Sequence, residues 1–127
     1  MLLNDLFVVE DWQPGYGTLT ALLQLRFPHR IFDGHFPGRP VLPGACLVQL
    51  VEELAASVAG KEVRLIRAGQ VKFIAMVDPV CDGSVAMTLT GREQATGEWQ
   101  ITAEGINAGA TCFRLKGVFR AGSDYAG

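Results

Sequence analysis

The chain has 127 residues, of which 49% are hydrophobic and 19% are charged, so it has enough apolar material for one core and no composition typical of disorder. Eleven basic and thirteen acidic side chains give a net charge of −2, which argues against nucleic-acid binding. No apolar run approaches the roughly 18 residues that a membrane span needs. We expect a single domain over residues 1–127, with a flexible tail from about residue 121 and neither nucleic acid nor membrane as a partner.

The N-terminal residues lack the basic segment and the small-residue cleavage site of a signal peptide, so we expect a cytoplasmic protein. The three cysteines are far apart and only two histidines are present, so a zinc cluster is not expected. Cys46 is interpreted as a small core residue near the start of a helix.

Two strands are predicted before the first long loop. Leu6 to Trp12 forms the first strand, and Gln13 to Gly17 forms a turn because it combines proline with glycine. Thr18 to Phe27 alternates in the period of a half-buried strand. Pro28 to Leu42 is predicted to be a loop, with His29 as a loop or surface residue.

One helix is predicted from Pro43, because proline suits the first helical position, to Gly60, because glycine suits the position after the last turn. Apolar side chains at helical spacing mark its buried face, namely Leu47, Leu50, Val51, Leu54 and Val58. The opposite stripe consists of Gln49, Glu52, Glu53, Ala56 and Ser57. The wide apolar face indicates a helix that lies deep against a sheet.

The rest of the chain is predicted to be almost entirely strand. Arg64 to Val77 forms one strand with a bend at Gly69, and the segments VAMTLT, WQITAE and Thr111 to Phe119 form three more. Met76 and Met87 are assigned to the core or to the lining of a tunnel. One helix with antiparallel strands before and after it predicts an α+β fold in which the sheet curls around the helix.

The loop before the helix contains the sequence GHFPGRPVLPG. This motif, followed by an apolar helix, resembles the signature of the bacterial 3-hydroxyacyl-(acyl-carrier-protein) dehydratases, which have the hotdog fold. The specific match covers Phe32 to about Leu54. Over the whole chain the resemblance is looser and consists of chain length and strand order. The resemblance implies a dimer or higher oligomer that removes water from a 3-hydroxyacyl thioester, carried on the phosphopantetheine of acyl carrier protein, to give a 2-enoyl thioester.

The resemblance also implies roles for residues of the motif. It makes His35 the base that takes the α-proton and Gly44 the backbone N–H donor to the thioester carbonyl, with Phe36, Pro43 and Ala45 in contact with the substrate. Physical chemistry agrees, because histidine titrates near neutral pH and a helix N-terminus offers free N–H groups to a developing oxyanion. Since the reaction needs only acid–base chemistry, no metal and no cofactor is expected.

Gln49 is the position at which the chain departs from this family. The resemblance implies a carboxylic acid that the facing protomer of a dimer contributes, fourteen positions after the histidine, where this chain has Gln49. An amide can orient a hydroxyl or a water, but it cannot donate a proton as a carboxylic acid does. Glu53 lies one helical turn further on, where the family often has glutamine, and one hypothesis is that it reaches the same pocket directly or through a water.

Dehydration in fatty acid or related acyl-chain biosynthesis is the favoured function. The alternatives are an acyl thioesterase of the same fold and a non-catalytic acyl-binding subunit that pairs with a second dehydratase-like chain. The sheet edge that one helix leaves uncovered predicts a dimer in each case. Five cations have two equal interpretations, as a basic rim for an acidic carrier protein or as scattered surface charge. They are Arg26, Arg30, Arg39, Arg67 and Lys72.

Overall fold

The computed structural model describes residues 1–33 and 40–121, which form six strands, one α-helix and one 3-10 turn. In chain order these are β1 (Phe7–Gly15), β2 (Thr18–Leu25), the 3-10 turn (Arg30–Phe32), α1 (Gly44–Ala59), β3 (Val63–Phe73), β4 (Ser84–Glu93), β5 (Trp99–Asn107) and β6 (Ala110–Ala121). The predicted single-helix α+β fold is confirmed. The predicted flexible tail lies, from residue 122 onward, outside the described residues.

All six strands form one antiparallel sheet in the order β1-β2-β4-β5-β6-β3. The sheet curls around α1, which contacts β2, β3, β4 and β5. Alternate side chains of β4, β5 and β6 are buried in the core, namely Val85, Met87, Leu89, Ile101, Ala103, Phe113, Leu115 and Phe119. Burial of one leucine- or phenylalanine-sized side chain contributes about 1.5–3 kcal/mol, so this inner face and the helix stabilise each other.

Helix α1 supplies the other half of the core. Its buried residues are Cys46, Leu47, Leu50, Val51, Leu54 and Ala55. The helix begins one residue later than predicted, because Pro43 is the N-cap, with extended backbone at φ −62° and ψ 138°. It ends as predicted at Gly60, whose left-handed backbone (φ 75°) favours glycine and whose N–H donates to the Ala56 carbonyl at 2.9 Å.

The first predicted turn is shorter in the structure. β1 continues to Gly15 rather than ending at Trp12, so the turn to β2 consists of Tyr16 and Gly17. Pro14 is tolerated within the strand because β1 is an edge strand with one neighbour, and a missing N–H can face outward there.

Strand β3 is the other edge of the sheet. Its register with β6 shifts around Ile66 and around Gly69, which confirms the bulge predicted at Gly69. The strand ends at Phe73 rather than at Val77. The Val77 carbonyl instead accepts a hydrogen bond from the Leu42 N–H at 2.9 Å, so the chain beyond β3 holds the segment that leads into α1.

His29 is a structural loop residue that caps the 3-10 turn. Its Nδ1 accepts a hydrogen bond from the Ile31 N–H at 3.0 Å. Nε2 therefore carries the proton and donates to Asp5 Oδ1, also at 3.0 Å. Only 11% of the His29 side chain is exposed, so the residue lies in the predicted loop but not on the surface.

The two methionines that the sequence assigns to the core or to a tunnel lining lie in different environments. Met87 is fully buried in the core, whereas Met76 is 71% exposed and lies outside the core. Met76 belongs to a group of exposed apolar side chains at and beyond the end of β3, which we name the β3 apolar strip and which consists of Val71, Phe73, Ile74 and Met76.

Within residues 1–33 and 40–121, no helix combines the length and hydropathy needed to cross a membrane. The same residues contain no group of three or more histidine, cysteine, aspartate or glutamate side chains that could hold a metal ion.

Gly117→Ala is expected to destabilise the fold. A Cβ at Gly117 would lie 2.5 Å from Leu65 Cδ1 and 2.9 Å from the Arg67 carbonyl oxygen, and the backbone contact cannot relax cheaply. We expect a loss of about 1–3 kcal/mol in the free energy of unfolding, measured by urea denaturation. The control is Gly69→Ala, whose Cβ would lie 3.6 Å from the Lys116 carbonyl oxygen and should change stability by under about 0.5 kcal/mol. Equal losses of stability in the two variants would contradict the close approach of Leu65 and Arg67 to Gly117.

Asp82 is expected to give the fold a pH-dependent stability. Its Oδ1 accepts hydrogen bonds from the Ser84 hydroxyl at 2.6 Å and the Ser84 N–H at 2.9 Å, and these hold the pKa of Asp82 below its usual 3.8. This contribution is complete above the pKa of the unfolded state and is lost as the pH falls through the lower folded pKa. In urea denaturation, Ser84→Ala should therefore cost more stability at about pH 6 than at about pH 2.5. An equal cost at both values would show that the hydroxyl does not act through the Asp82 carboxylate.

Candidate functional site

The start of α1 presents a backbone donor that has no partner within residues 1–33 and 40–121. The Pro43 N-cap contributes no side-chain hydrogen bond, and its carbonyl accepts from the Cys46 N–H at 3.0 Å. Among the residues that the structure describes, no acceptor is paired with the Gly44 N–H. The helix macrodipole adds partial positive charge at this end, so the Gly44 N–H is suited to stabilise an oxyanion.

The ring of Phe73 lies directly over Gly44. A Cβ at Gly44 would lie 2.8 Å from Phe73 Cε1 and 3.0 Å from Phe73 Cζ, so the first residue of α1 has room for hydrogen only. The Phe73 ring also packs on Phe113, with 5.5 Å between the ring centroids. Phe73 thus connects the end of β3, the core and the helix start, although 55% of it is exposed.

A cavity of about 810 Å³ opens along the polar stripe of α1. This volume is within the range typical of ligand pockets. Its lining residues come from the N-terminus of the chain, from α1 and from the start of β3, and are Met1, Ala45, Val48, Gln49, Glu52, Glu53, Ala56, Glu62, Val63 and Arg64. The cavity therefore combines an apolar wall with three carboxylates and one guanidinium.

Gln49 and Glu53 contact each other at this cavity. Gln49 Nε2 donates to Glu53 Oε2 at 3.1 Å. The Glu53 carboxylate also accepts from the Leu2 N–H, at 3.0 Å through Oε1 and 2.8 Å through Oε2, and from the Leu3 N–H at 3.0 Å. The neighbouring Glu52 accepts from the Leu65 N–H at 2.9 Å and so ties α1 to β3.

The predicted site residues fall into three groups. His35 and Phe36 lie outside the described residues, as does Arg39 of the predicted basic rim. Pro43 and Gly44 form the helix start. Three further predicted residues line the cavity together, namely Ala45, Gln49 and Glu53.

Cys46 is buried, and that burial raises the pKa of its thiol. A raised pKa disfavours the reactive thiolate, although the residue lies near a helix N-terminus. The interpretation of Cys46 as a small core residue is therefore confirmed.

Sequence reasoning missed three parts of this site. The missed parts are the Phe73 ring over Gly44, the Arg64 side chain in the cavity wall, and the hydrogen bonds from Leu2 and Leu3 to Glu53. Glycine at the first helical position was a usable signal, since it permits the close approach of another chain segment. The other two parts join distant segments and leave no local pattern.

Comparison with known proteins identifies the family. A family model described as ApeI dehydratase, ApeI-like, matches residues 12–111. The chain belongs to the ApeI-like dehydratase family. This ApeI-like chain is 25% identical over 123 residues to the 3-hydroxyacyl-[acyl-carrier-protein] dehydratase FabZ of Caulobacter vibrioides, covering 92% of this chain and 69% of that protein. It is 33% identical over 94 residues to FabZ of Rickettsia felis, covering 65% and 63% respectively.

Solved structures share the fold of this ApeI-like chain. A chain of the dehydratase heterocomplex ApeI:P from Xenorhabdus doucetiae matches with a TM-score of 0.76 at 21% identity, over 90% of this chain and 97% of that chain. An HP0420 homologue from Helicobacter felis matches with a TM-score of 0.68 at 13% identity, over 93% and 89%. The predicted hotdog fold and the resemblance to 3-hydroxyacyl dehydratases are therefore confirmed at the level of fold and family.

We expect Gly44 and Phe73 to be energetically coupled. Gly44→Ala should lower the free energy of unfolding by about 1 kcal/mol, because the added methyl group displaces the Phe73 ring. In a Phe73→Ala background the same change should be neutral or stabilising, since alanine is the better helix former. A double-mutant cycle by thermal or urea unfolding measures the coupling. Additive effects of the two changes would contradict the contact.

Proposed function

We propose that this chain dehydrates 3-hydroxyacyl thioesters to 2-enoyl thioesters in fatty acid or related acyl-chain synthesis, with the acyl group carried on acyl carrier protein. The observation that carries the proposal is helix α1, which begins at a Gly44 N–H with no acceptor in the described part of the chain and carries Gln49 in the wall of a cavity of about 810 Å³. Membership of a dehydratase family supports it.

In the proposed reaction the Gly44 N–H donates to the thioester carbonyl as negative charge develops on its oxygen. His35 takes the proton from C2, the C3–O bond breaks, and the double bond forms between C2 and C3. His35 then passes this proton to the departing hydroxyl, which leaves as water, and the base is restored. Gln49 holds the C3 hydroxyl by hydrogen bonds, while Ala45, Pro43 and Phe36 contact the substrate.

The carrier would dock beside exposed cations of this chain. Arg26, Arg67 and Lys72 are exposed, and within residues 1–33 and 40–121 none of them has an ion-pair partner. Arg30 is paired with Asp5 at 3.4 Å and is less available. Exposed positive charge raises the encounter rate with an acidic partner such as a carrier protein.

The working unit would be a dimer or a larger assembly. The β3 apolar strip lies at a sheet edge, where apolar side chains and unpaired backbone groups favour association with a second chain. The partner would be a second copy or a related dehydratase-like chain. The structural neighbour from Xenorhabdus doucetiae is itself part of a dehydratase heterocomplex, which supports including the heteromer.

A second candidate function is a non-catalytic acyl-binding subunit. The observation that favours it is the contact between Gln49 and Glu53, because Gln49 is not an acid and the Glu53 oxygens already accept four hydrogen-bond contacts. This subunit would pair with a second dehydratase-like chain, and that chain would supply the carboxylic acid.

Turnover of a 3-hydroxyacyl-pantetheine thioester by the purified chain, followed through the absorbance of the enoyl product, tests the two candidates. We expect measurable turnover that falls about 10²–10⁴-fold in His35→Ala, because a general base is lost. Gln49→Ala should weaken binding of the hydroxyl substrate. The matched control is His29→Gln, which changes the other histidine in the structural 3-10 cap.

If the wild type is inactive but Gln49→Glu gains activity, the self-sufficient enzyme is excluded. Activity that appears only after mixing with a second dehydratase-like chain supports the subunit function. Turnover that survives unchanged in His35→Ala contradicts the proposed mechanism in either form.

A further inference from the structure

The Glu53 carboxylate acts only as an acceptor in this structure. Oε1 accepts from the N–H groups of Leu2 and Leu3, and Oε2 accepts from the Leu2 N–H and from Gln49 Nε2, at 2.8–3.1 Å. Both oxygens are thus occupied by donors. These hydrogen bonds come from three donors, and each of them uses the carboxylate as an acceptor.

This contact fixes the direction of the Gln49 amide. A side-chain amide has one donor end and one acceptor end, and their assignment follows from the partners. Because the carboxylate can only accept, the NH₂ group of Gln49 must face Glu53. The Gln49 carbonyl oxygen is therefore turned away from Glu53, and Gln49 lines the cavity.

The N-terminal segment holds the Glu53 carboxylate in place. The Phe7 N–H donates to the Leu2 carbonyl at 3.0 Å, and Leu3 pairs with Phe7 as an isolated bridge, so the segment that donates to Glu53 is itself ordered. Further along it, Asp5 accepts from His29. Glu53 is thus fixed by backbone groups that a side-chain rearrangement cannot remove.

We propose that Glu53 is a positioning residue, held by the Leu2 and Leu3 N–H groups, that orients the Gln49 amide so that its carbonyl oxygen accepts a hydrogen bond from the C3 hydroxyl of the substrate. The inference rests on the proposed function. It assigns Glu53 an indirect role and separates this role from that of a proton donor.

Glu53→Gln is the sharpest test, because it keeps the shape of the side chain. The new carbonyl at the Oε1 position would keep the hydrogen bonds from Leu2 and Leu3, and the new NH₂ would face Gln49 and lose the 2.8 Å contact from the Leu2 N–H. Two donors cannot pair, so we expect the Gln49 amide to turn over and present its NH₂ group to the cavity. The control is Glu93→Gln, which removes the same charge at an exposed position at the end of β4, outside the residues that line the cavity.

Two ligands and one ligand-free signal give the readout. The ligands are the non-hydrolysable pantetheine amides of 3-hydroxyoctanoate and of octanoate, which differ only in the hydroxyl, and their dissociation constants are measured by calorimetry. We expect the wild type and Glu93→Gln to prefer the hydroxyl ligand about tenfold, and Glu53→Gln to lose that preference. The ligand-free signal is solvent exchange of the Gln49 side-chain amide protons in NMR spectra, which should be faster in Glu53→Gln alone.

The outcomes distinguish this inference from the proposed function. If the wild type binds both ligands equally or binds neither, the proposed function fails. If the wild type prefers the hydroxyl ligand and Glu53→Gln keeps that preference with unchanged amide exchange, only the positioning role is overturned. In a Gln49→Ala background Glu53→Gln should have no further effect on the preference, and an undiminished effect there would show that Glu53 does not act through Gln49. The same NMR spectra verify that each variant is folded.

Discussion

Burial of one helix inside one curled sheet is the constraint on which the rest of this molecule depends. The sheet covers the apolar face of α1, so only the helix start and the polar stripe remain available for chemistry. Both lie on the same rigid element, which fixes the spacing between Gly44 and Gln49 more firmly than a loop would. The core thus sets the site's geometry as well as the stability of the fold.

The features readable from sequence are those with a local physical cause. The apolar spacing of α1, the bulge at Gly69 and the helix end at Gly60 follow from side-chain period and glycine geometry, and all three are present. The β1 boundary was wrong because turn propensity at Pro14 and Gly15 was outweighed by the edge position of the strand, which becomes known only once the sheet is assembled.

The candidate site was only partly predictable for a related reason. The positions of Gln49 and Glu53 one turn apart follow from helical spacing, and so does their contact. The partners of Glu53, however, are backbone N–H groups about fifty positions earlier in the chain, and any residue type could supply them. A site built on main-chain donors leaves no mark in the amino-acid pattern.

Phe73 connects the exposed apolar strip of the sheet edge to the start of α1. The same ring lies over Gly44 and belongs to the exposed apolar strip at the end of β3. A second chain that covered this strip would contact a ring that already packs against the first residue of α1. In the proposed assembly, subunit contact and the position of the Gly44 N–H would therefore be coupled through a single aromatic side chain, without any movement of the helix as a whole.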